Sequence, residues 1–263
     1  MKASGIITTT TDFGHRGPFT AIMKGVILSR FPEAQIVDLI HDIPAQWPPE
    51  AGFWISKSYH YFPKGTVHVA IVDPGVGTER NILLAECDEH TFIAPDNGLL
   101  ARLLDEHDAR LFHLDHSALD ALGLGEPSST FHGRDIFAPV AAELASGRRR
   151  CEDLGTPTDD WIPDWIDPPD RQADRISGTI VTVDTFGNLI SNIESSMIAG
   201  MTAPRVRFAG LELPMIETYG RATPGDYLAL INSFDVVEIA RAEGHAADGL
   251  GVARGAPVTI IGG

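Results

Sequence analysis

Apolar and polar positions in the first half of the chain follow two periods in turn. Residues 5–9 and 36–40 are short β-rich runs. Between them Phe19, Ile22, Met23, Val26 and Ile27 fall at helical spacing behind Pro18, a residue suited to a first helical turn. Residues 67–72 form a continuous apolar run that stops abruptly at Asp73, the pattern of a strand buried on both faces of a parallel sheet. Residues 82–86 and 91–94, parted by Asp88, Glu89 and His90, predict a hairpin. Residues 50–61, 97–104 and 134–144 predict helices.

Beyond residue 175 the pattern changes to short β segments at 176–183, 189–193, 205–208, 227–231, 236–240 and 258–261, joined by Gly, Pro and Asp turns. The expected fold class is therefore α/β in two parts. An N-terminal α/β domain with a largely parallel central sheet spans residues 1–155, and an acidic, proline-rich linker spans 156–175. A smaller C-terminal all-β barrel or sandwich domain spans 176–263.

Charge narrows the range of partners. Twenty basic against thirty-six acidic residues give a net charge of −16, which repels a phosphate backbone and argues against nucleic acid. Part of that acidity lies between Cys151 and Asp174, where eight Asp or Glu accompany one basic residue, Arg171, as in a solvated connector. Cys87 and Cys151 are the only cysteines, too few for a disulfide framework. The N-terminal residues contain no apolar stretch of signal-peptide length, and nowhere do eighteen apolar residues run together. A soluble, cytoplasmic protein without a membrane partner is the expectation.

Candidate chemistry gathers where apolar β runs end. Asp12, Asp73 and Asp96 each follow such a run, and in open α/β sheets the carboxyl ends of the strands border the ligand crevice. Each also sits in ordinary turn chemistry, beside Gly, Pro or Asn. Gly75-Val76-Gly77 lacks the third glycine of a dinucleotide fingerprint and the Lys-Ser/Thr of a P-loop, so neither reading applies. Arg80 follows on the same glycine-rich segment, where it either joins Asp73 in one cavity or pairs with Glu79 or Asp88 on the surface. His132 stands at a loop-to-helix junction, as a structural hydrogen-bonder or, with an acidic partner, as a group tuned for proton transfer near neutral pH. Asp184 and Asn188 flank a Gly-containing turn, and Ser233 ends another strand. Asn188 is either a hairpin residue or an amide that reads an adenine edge.

Taken together, these segments resemble the S-adenosyl-L-methionine hydroxide adenosyltransferase family, relatives of the fluorinase and chlorinase enzymes. The resemblance covers nearly the whole chain. It rests on eight short motifs in order: Thr-Asp12-Phe-Gly, Met-Lys-Gly25, Asp38-Leu-Ile-His41, Phe62-Pro-Lys-Gly-Thr-Val, Val72-Asp-Pro-Gly-Val-Gly-Thr, Ala94-Pro-Asp-Asn-Gly-Leu, Phe131-His-Gly-Arg-Asp and Asp184-Thr-Phe-Gly-Asn-Leu. It implies an enzyme that hydrolyses S-adenosyl-L-methionine to adenosine and L-methionine by attack of water or hydroxide at C5′. It also implies a homotrimer with active sites between subunits, and no cofactor or metal.

Carried over residue by residue, the resemblance makes Asp73, Arg80 and His132 the catalytic triad that holds the nucleophile. Asp12 binds the ribose hydroxyls and Asn188 contacts adenine. Asp184 and Ser233 meet the methionine end, Phe186 lies in the pocket, and Trp47 and Tyr219 form apolar or stacking walls. Two departures disfavour halide chemistry: Asp73 stands where the halogenases carry tyrosine, and Gly133 where the fluorinase carries a halide-binding serine. Phe234 replaces a fluorinase arginine near the substrate carboxylate. Two other classes compete. Asp12, Asp73, Asp96, His41 and His132 would suit Mg²⁺ or Mn²⁺ in a metal-dependent phosphoesterase, and a non-catalytic adenosine- or S-adenosylmethionine-binding module would bind without turnover.

Overall fold

The computed structural model describes residues 2–262, in which two units with separate cores form, Met1–Trp165 and Ile166–Gly263. The strands of the first unit are β1 (Ile6–Thr11), β2 (Gln35–Ile40), β3 (Val67–Ile71), β4 (Ile82–Cys87), β5 (His90–Pro95), β6 (Arg110–Leu114) and β7 (Gly155–Thr158). Its helices are α1 (Phe19–Arg30), α2 (Pro48–Ser58), α3 (Ala101–Glu106), α4 (His116–Ala121) and α5 (Ala138–Ala145). One mixed sheet runs in the order β2-β1-β3-β5-β4-β6-β7. Pairing is parallel from β2 to β5 and antiparallel through β4, β6 and β7.

The period-two alternation of β3 decides which helices cover which face. Val67, Val69 and Ile71 join a core with Met23 and Ile27 of α1 and Val140 of α5. Ala70 and Val72 join the opposite core with Ala51 and Ile55 of α2 and Leu103 of α3. Both faces of β3 are thus buried, which is why its sequence is apolar apart from His68, whose ring nitrogens lie 2.8 Å from the Thr8 hydroxyl and 3.1 Å from His90 Nδ1. The contact on the α2 side is close enough to demand glycine: a Cβ on Gly52 would lie 2.2 Å from the Leu99 carbonyl oxygen.

The second unit contains β8 (Asp170–Arg171), β9 (Arg175–Val183), β10 (Leu189–Glu194), β11 (Arg205–Phe208), β12 (Leu211–Pro214), β13 (Tyr227–Ile231), β14 (Val236–Arg241) and β15 (Pro257–Ile261), with short helices α6 (Ser195–Ile198) and α7 (Ala246–Leu250). Its antiparallel sheet runs β12-β11-β15-β9-β10-β14-β13, and β8 pairs with β9. A bridge between Met215 and Ala229 brings the two ends together, so the sheet is a nearly closed barrel. Its interior is filled by Ile180, Leu189, Val206, Val237, Ile239 and Val258.

Four strands and three short helices, α4, α6 and α7, escape the hydrophobic pattern. β6 alternates over only five residues, while β7, Gly-Thr-Pro-Thr, has no apolar run and lies at the sheet edge, where proline is tolerated. β8 has two residues and β12 four, and α4 makes fewer than two turns. Within residues 156–175, expected as a linker, the structure places the end of β7, all of β8 and the first residue of β9. The helix expected from residue 97 begins at Ala101, because Gly98 takes a left-handed φ of 91° in the preceding turn.

Gly52→Ala should therefore destabilise the first unit by about 1–3 kcal/mol, the usual cost of forcing a packed contact apart. Urea unfolding of the variant checks this; a midpoint equal to that of the parent chain contradicts it.

Candidate active site

Thr11 pairs with Ile71 in the parallel register of β1 and β3, so the residues that follow these strands emerge side by side at one edge of the sheet. Asp12 and Asp73 occupy that edge. Burial raises the pKa of Asp12; the Gln46 backbone N–H, donating to Oδ2 at 2.9 Å, opposes the rise and the Asp73 charge adds to it. Gln46 holds a left-handed φ of 61° to aim that N–H. The next residue, Trp47, directly precedes α2 and meets Trp165 edge to face, with ring centroids 5.9 Å apart.

Asp73 is bound in a fork by Arg80. The guanidinium Nε donates to both carboxylate oxygens, at 3.1 and 2.9 Å, and Nη2 donates to Oδ2. The pair is nearly out of solvent, with side chains 12% exposed for Arg80 and 5% for Asp73. Nη2 also donates to His132 Nδ1 at 3.0 Å. Arginine has no acceptor, so this bond requires a lone pair on Nδ1 and leaves the imidazole proton on Nε2. Burial, followed by the Arg80 charge, holds the His132 pKa below the ordinary imidazole value. The expected acidic partner of His132 is therefore replaced by an arginine, which favours the neutral ring.

Local backbone explains how residues 73, 80 and 132 meet. Thr78 bonds back to the Gly75 carbonyl through both its backbone N–H and its hydroxyl, folding the loop tightly. Gly77 has φ of 77° and passes so close to the next segment that a Cβ would lie 2.1 Å from the Ser129 carbonyl oxygen. On that segment Ser128 Oγ receives the Phe131 N–H, and Asp135 receives the Ser128 N–H. Arg134, then burial opposing it, sets the Asp135 pKa at about 2. His132 caps a single π-helical turn, Gly133–Phe137, a distortion often found at functional sites. A cavity of about 80 Å³ beside Arg80 and His132 has room for two or so waters at about 30 Å³ each.

The third strand-end carboxylate has a different fate. Asp96 accepts the Ile162 N–H at 2.9 Å and lies 3.5 Å from His113 Nε2, so it ties segments of the first unit together. Nor do Asp12, Asp73, Asp96, His41 and His132 bring their ligand atoms together as a metal site would: among the described residues only Cys87, Asp88 and His107 do so, within 4.8 Å. The phosphoesterase reading loses its cluster.

His41, expected as a ligand only in the phosphoesterase reading, sits instead in a neighbouring hydrogen-bonded relay. His41 Nδ1 is 2.8 Å from the Thr11 hydroxyl, and its Nε2 is 2.9 Å from Asp38, which also binds Thr9 and Lys24. Burial opposes ionisation of Asp38, but Lys24, His41 and Thr9 outweigh it and set the pKa at about 2. The relay fixes the end of β1 directly before Asp12.

In the second unit Asp184 organises the turn between β9 and β10. Its Oδ1 receives the N–H groups of Phe186 and Asn188, both at 2.9 Å, and its Oδ2 receives Asn188 Nδ2 at 3.1 Å. Gly187 holds φ of 85° against His245, where a Cβ would lie 2.1 Å from the ring. The turn leaves Phe186 76% exposed and Asn188 buried. Tyr219, 44% exposed, donates its hydroxyl to Glu238 at 2.6 Å, and Asn232 Nδ2 donates to the other Glu238 oxygen at 3.1 Å. Asn232 in turn receives the Phe234 N–H, folding the turn that carries exposed Ser233. Glu238 is itself 3% exposed, and burial raises its pKa. This carboxylate was not anticipated. Its signal was a lone acid inside the apolar run of β14.

Comparison with known proteins places these features in a family. A model described as the SAM hydroxide adenosyltransferase N-terminal domain matches residues 7–155, and one for the C-terminal domain of the same family matches residues 178–259. The chain is 35% identical over 259 residues to the (R)-S-adenosyl-L-methionine hydrolase of Thermus thermophilus, covering 95% of this chain and 97% of that one. It is 28% identical to a fluorinase of Actinoplanes sp., covering 99% of each. A crystal structure of an uncharacterized conserved protein from Thermotoga maritima superposes with a TM-score of 0.87 at 30% identity, covering 97% of this chain and 99% of that one.

The bond between Arg80 and His132 sets a testable titration. His132 should carry its proton on Nε2 at neutral pH and titrate below the ordinary value of 6.5. Because the folded pKa is lowered, neutral His132 contributes stability above about pH 6.5 that is lost as the pH falls through the folded value. Nitrogen NMR of the imidazole reports both tautomer and pKa, and Arg80→Ala should move the pKa upward. An Nδ1-protonated ring in the parent chain contradicts the geometry.

Proposed function

This chain belongs to the SAM hydroxide adenosyltransferase family, and from that premise we infer that it is an enzyme hydrolysing S-adenosyl-L-methionine to adenosine and L-methionine. The observation that carries the reading is the desolvated Asp73–Arg80–His132 cluster, in which Asp73 stands past the end of parallel strand β3, the position that borders ligand crevices in open α/β sheets. The Thermus relative's name specifies the R form. We extend that preference to this chain: sulfonium sulfur is a stereocentre, and a site that grips both adenosine and methionine fixes where the methyl group must point.

In the reaction, a bond forms between the oxygen of bound water or hydroxide and C5′ as the C5′–sulfur bond breaks. The electron pair leaves on sulfur, giving a neutral thioether that needs no acid. What remains is to align the nucleophile and stabilise its developing charge. Arg80 supplies the fixed positive charge. Asp73 accepts a hydrogen bond from the water and takes up its proton as the new bond forms. His132 Nδ1 is committed to Arg80, so we assign it to holding the guanidinium and to donating from Nε2 to the oxygen, rather than to receiving the proton.

Asp12 is assigned to the ribose hydroxyls and Trp47 to the wall beside them. Asn188 is assigned to adenine through its Oδ1 and the second hydrogen of Nδ2, the other being given to Asp184. Asp184 retains one of its roughly four lone-pair sites, on Oδ2, for the methionine ammonium beyond the three bonds it accepts in its turn, and Ser233 joins it there. Exposed Phe186 and Tyr219 complete the apolar surface. Halide chemistry is disfavoured by Gly133 as well as by Asp73: a Cβ there would lie 3.0 Å from Met23 Sδ and 3.2 Å from the Phe131 ring.

No metal or cofactor enters this scheme, because the leaving group departs unassisted and the Asp73 carboxylate is already paired with Arg80. We further propose a homotrimer with active sites shared between subunits. Supporting it are the exposed apolar side chains Phe19, Ile22 and Leu28 of α1 and Val37 of β2. The cytoplasm is the proposed location, in keeping with two buried free thiols and with the absence, among the described residues, of any helix long and apolar enough to cross a membrane.

Incubated with each sulfonium epimer in the presence of a chelator, the protein should release adenosine and methionine from the R epimer. In water enriched in oxygen-18 the label should enter the 5′-hydroxyl. Binding without turnover, or activity that returns only with a divalent ion, would overturn the mechanism. Arg80→Ala should abolish single turnover while leaving substrate affinity largely intact. Asp12→Ala should weaken binding at least tenfold, since each charge-assisted ribose bond is worth roughly 1.5–3 kcal/mol.

Subunit sharing has its own test. Mixing inactive Asp73→Ala with inactive Asn188→Ala protein, under conditions where subunits exchange, should restore part of the activity. An active monomer in sedimentation contradicts the trimer.

A further inference from the structure

The turn between β4 and β5 lies at the edge of the sheet opposite to Asp12 and Asp73, since β5 begins there and runs parallel to β3. Asp88 and Glu89 form it with left-handed φ values of 48° and 64°. This aims the Asp88 carboxylate at Tyr59 of the helical segment after α2 and at His107 after α3. Tyr59 Oη donates to Asp88 Oδ2 at 2.6 Å, His107 Nδ1 lies 3.2 Å from the same oxygen, and His107 Nε2 lies 3.4 Å from Tyr59 Oη.

Cys87 Sγ lies within 4.8 Å of the Asp88 and His107 ligand atoms, the one such convergence among the described residues. Asp108 close to Cys87, and Glu106 close to Tyr59, add negative charge around it.

We propose that Cys87, Asp88 and His107 bind a divalent ion of the zinc class, through Sγ, a carboxylate oxygen and an imidazole nitrogen, with water in the fourth position. Thiolate, imidazole and carboxylate together are a zinc donor set. Tetrahedral bonds of about 2.0–2.3 Å place ligand atoms about 3.3–3.8 Å apart. The Asp88 to His107 spacing is already close to that, and side-chain adjustment of about 1 Å brings in the sulfur. Asp88 and His107 are reachable from solvent, half-exposed and about one-third exposed, while Cys87 forms the buried floor. Burial, with Asp88 and Asp108, pushes the free thiol up to about 11, so metal must displace its proton and binding strengthens as pH rises. The ion would tie the β4–β5 turn to α3, independently of the hydrolysis proposed above.

Cobalt(II) is the direct probe, because a thiolate ligand gives a near-ultraviolet charge-transfer band that oxygen and nitrogen ligands do not. Metal-free protein titrated with Co²⁺ should develop that band, and Zn²⁺ should displace it and raise the Tm by about 2–4 °C. Cys87→Ser should abolish the band, leaving Cys151 as the one remaining thiol. His107→Ala should weaken Co²⁺ binding by more than the roughly tenfold that loss of an outer-shell partner costs. Circular dichroism of each variant confirms folding; if Cys87→Ser does not fold, His107→Ala decides. The absence of a band in the parent chain overturns the site, as does a band that survives Cys87→Ser or an affinity unchanged by His107→Ala.

Discussion

A guanidinium withdrawn from water must recover its hydrogen bonds from the protein, and in the first unit that demand falls on Asp73 and His132. Breaking such a desolvated pair by removing one partner typically costs about 3–5 kcal/mol, far more than a surface ion pair is worth. The local backbone is shaped by this requirement. The loop after β3 has to turn back within a few residues for Arg80 to face Asp73, and Gly77 lets it press against the Ser129 carbonyl as it does so. The segment from Ser128 to Asp135 is in turn fixed by its own bonds, so that His132 arrives with a lone pair directed at Nη2.

The same demand explains what a linear reading of the residues could and could not reach. The runs that became β3, β9, β10, β13 and β14 are largely apolar because one or both faces are buried, so the pattern of apolar residues locates them, and β1 shows through its β-branched residues. Asp12, Asp73 and Asp96 stand in equivalent positions along the chain, yet Asp96 is taken up by Ile162, sixty-six residues later. Nothing near Asp96 distinguishes it from the other two. His132 likewise depends on an arginine fifty-two residues earlier, and a search for an acid near it in sequence finds Asp135, which Arg134 and Ser128 have already claimed. The short edge strands β7 and β8 are held by backbone pairing and leave no hydrophobic trace.

The second unit solves a different problem with the same residue type. Asp184 and Glu238 are carboxylates whose partners within the chain are neutral donors, and they set backbone and side-chain direction. Asp184 spends three hydrogen bonds on its own turn, which presents Asn188 inward and Phe186 outward. Glu238, buried in β14, steadies the exposed ring of Tyr219 and, through Asn232, the turn bearing Ser233. A lone acid in an apolar strand is costly unless its oxygens are satisfied. Here each oxygen has a donor, so the cost is exchanged for the placement of side chains that would otherwise move freely in solvent.

These two uses of charge fit a reaction whose difficulty lies at carbon. A sulfonium departs as a neutral molecule, so an acid placed at sulfur would add little, and the large terms left are alignment and stabilisation of the incoming oxygen. A guanidinium locked by a buried carboxylate on one side and a neutral imidazole on the other cannot swing to follow solvent, so its field is already in place when charge develops on the nucleophile. Protonating His132 would replace the acceptor on Nη2 with a second cation and loosen that lock. The depressed pKa of His132 is thus a condition for keeping Arg80 oriented, and this gives the histidine a role even though its only free lone pair is spent on the arginine.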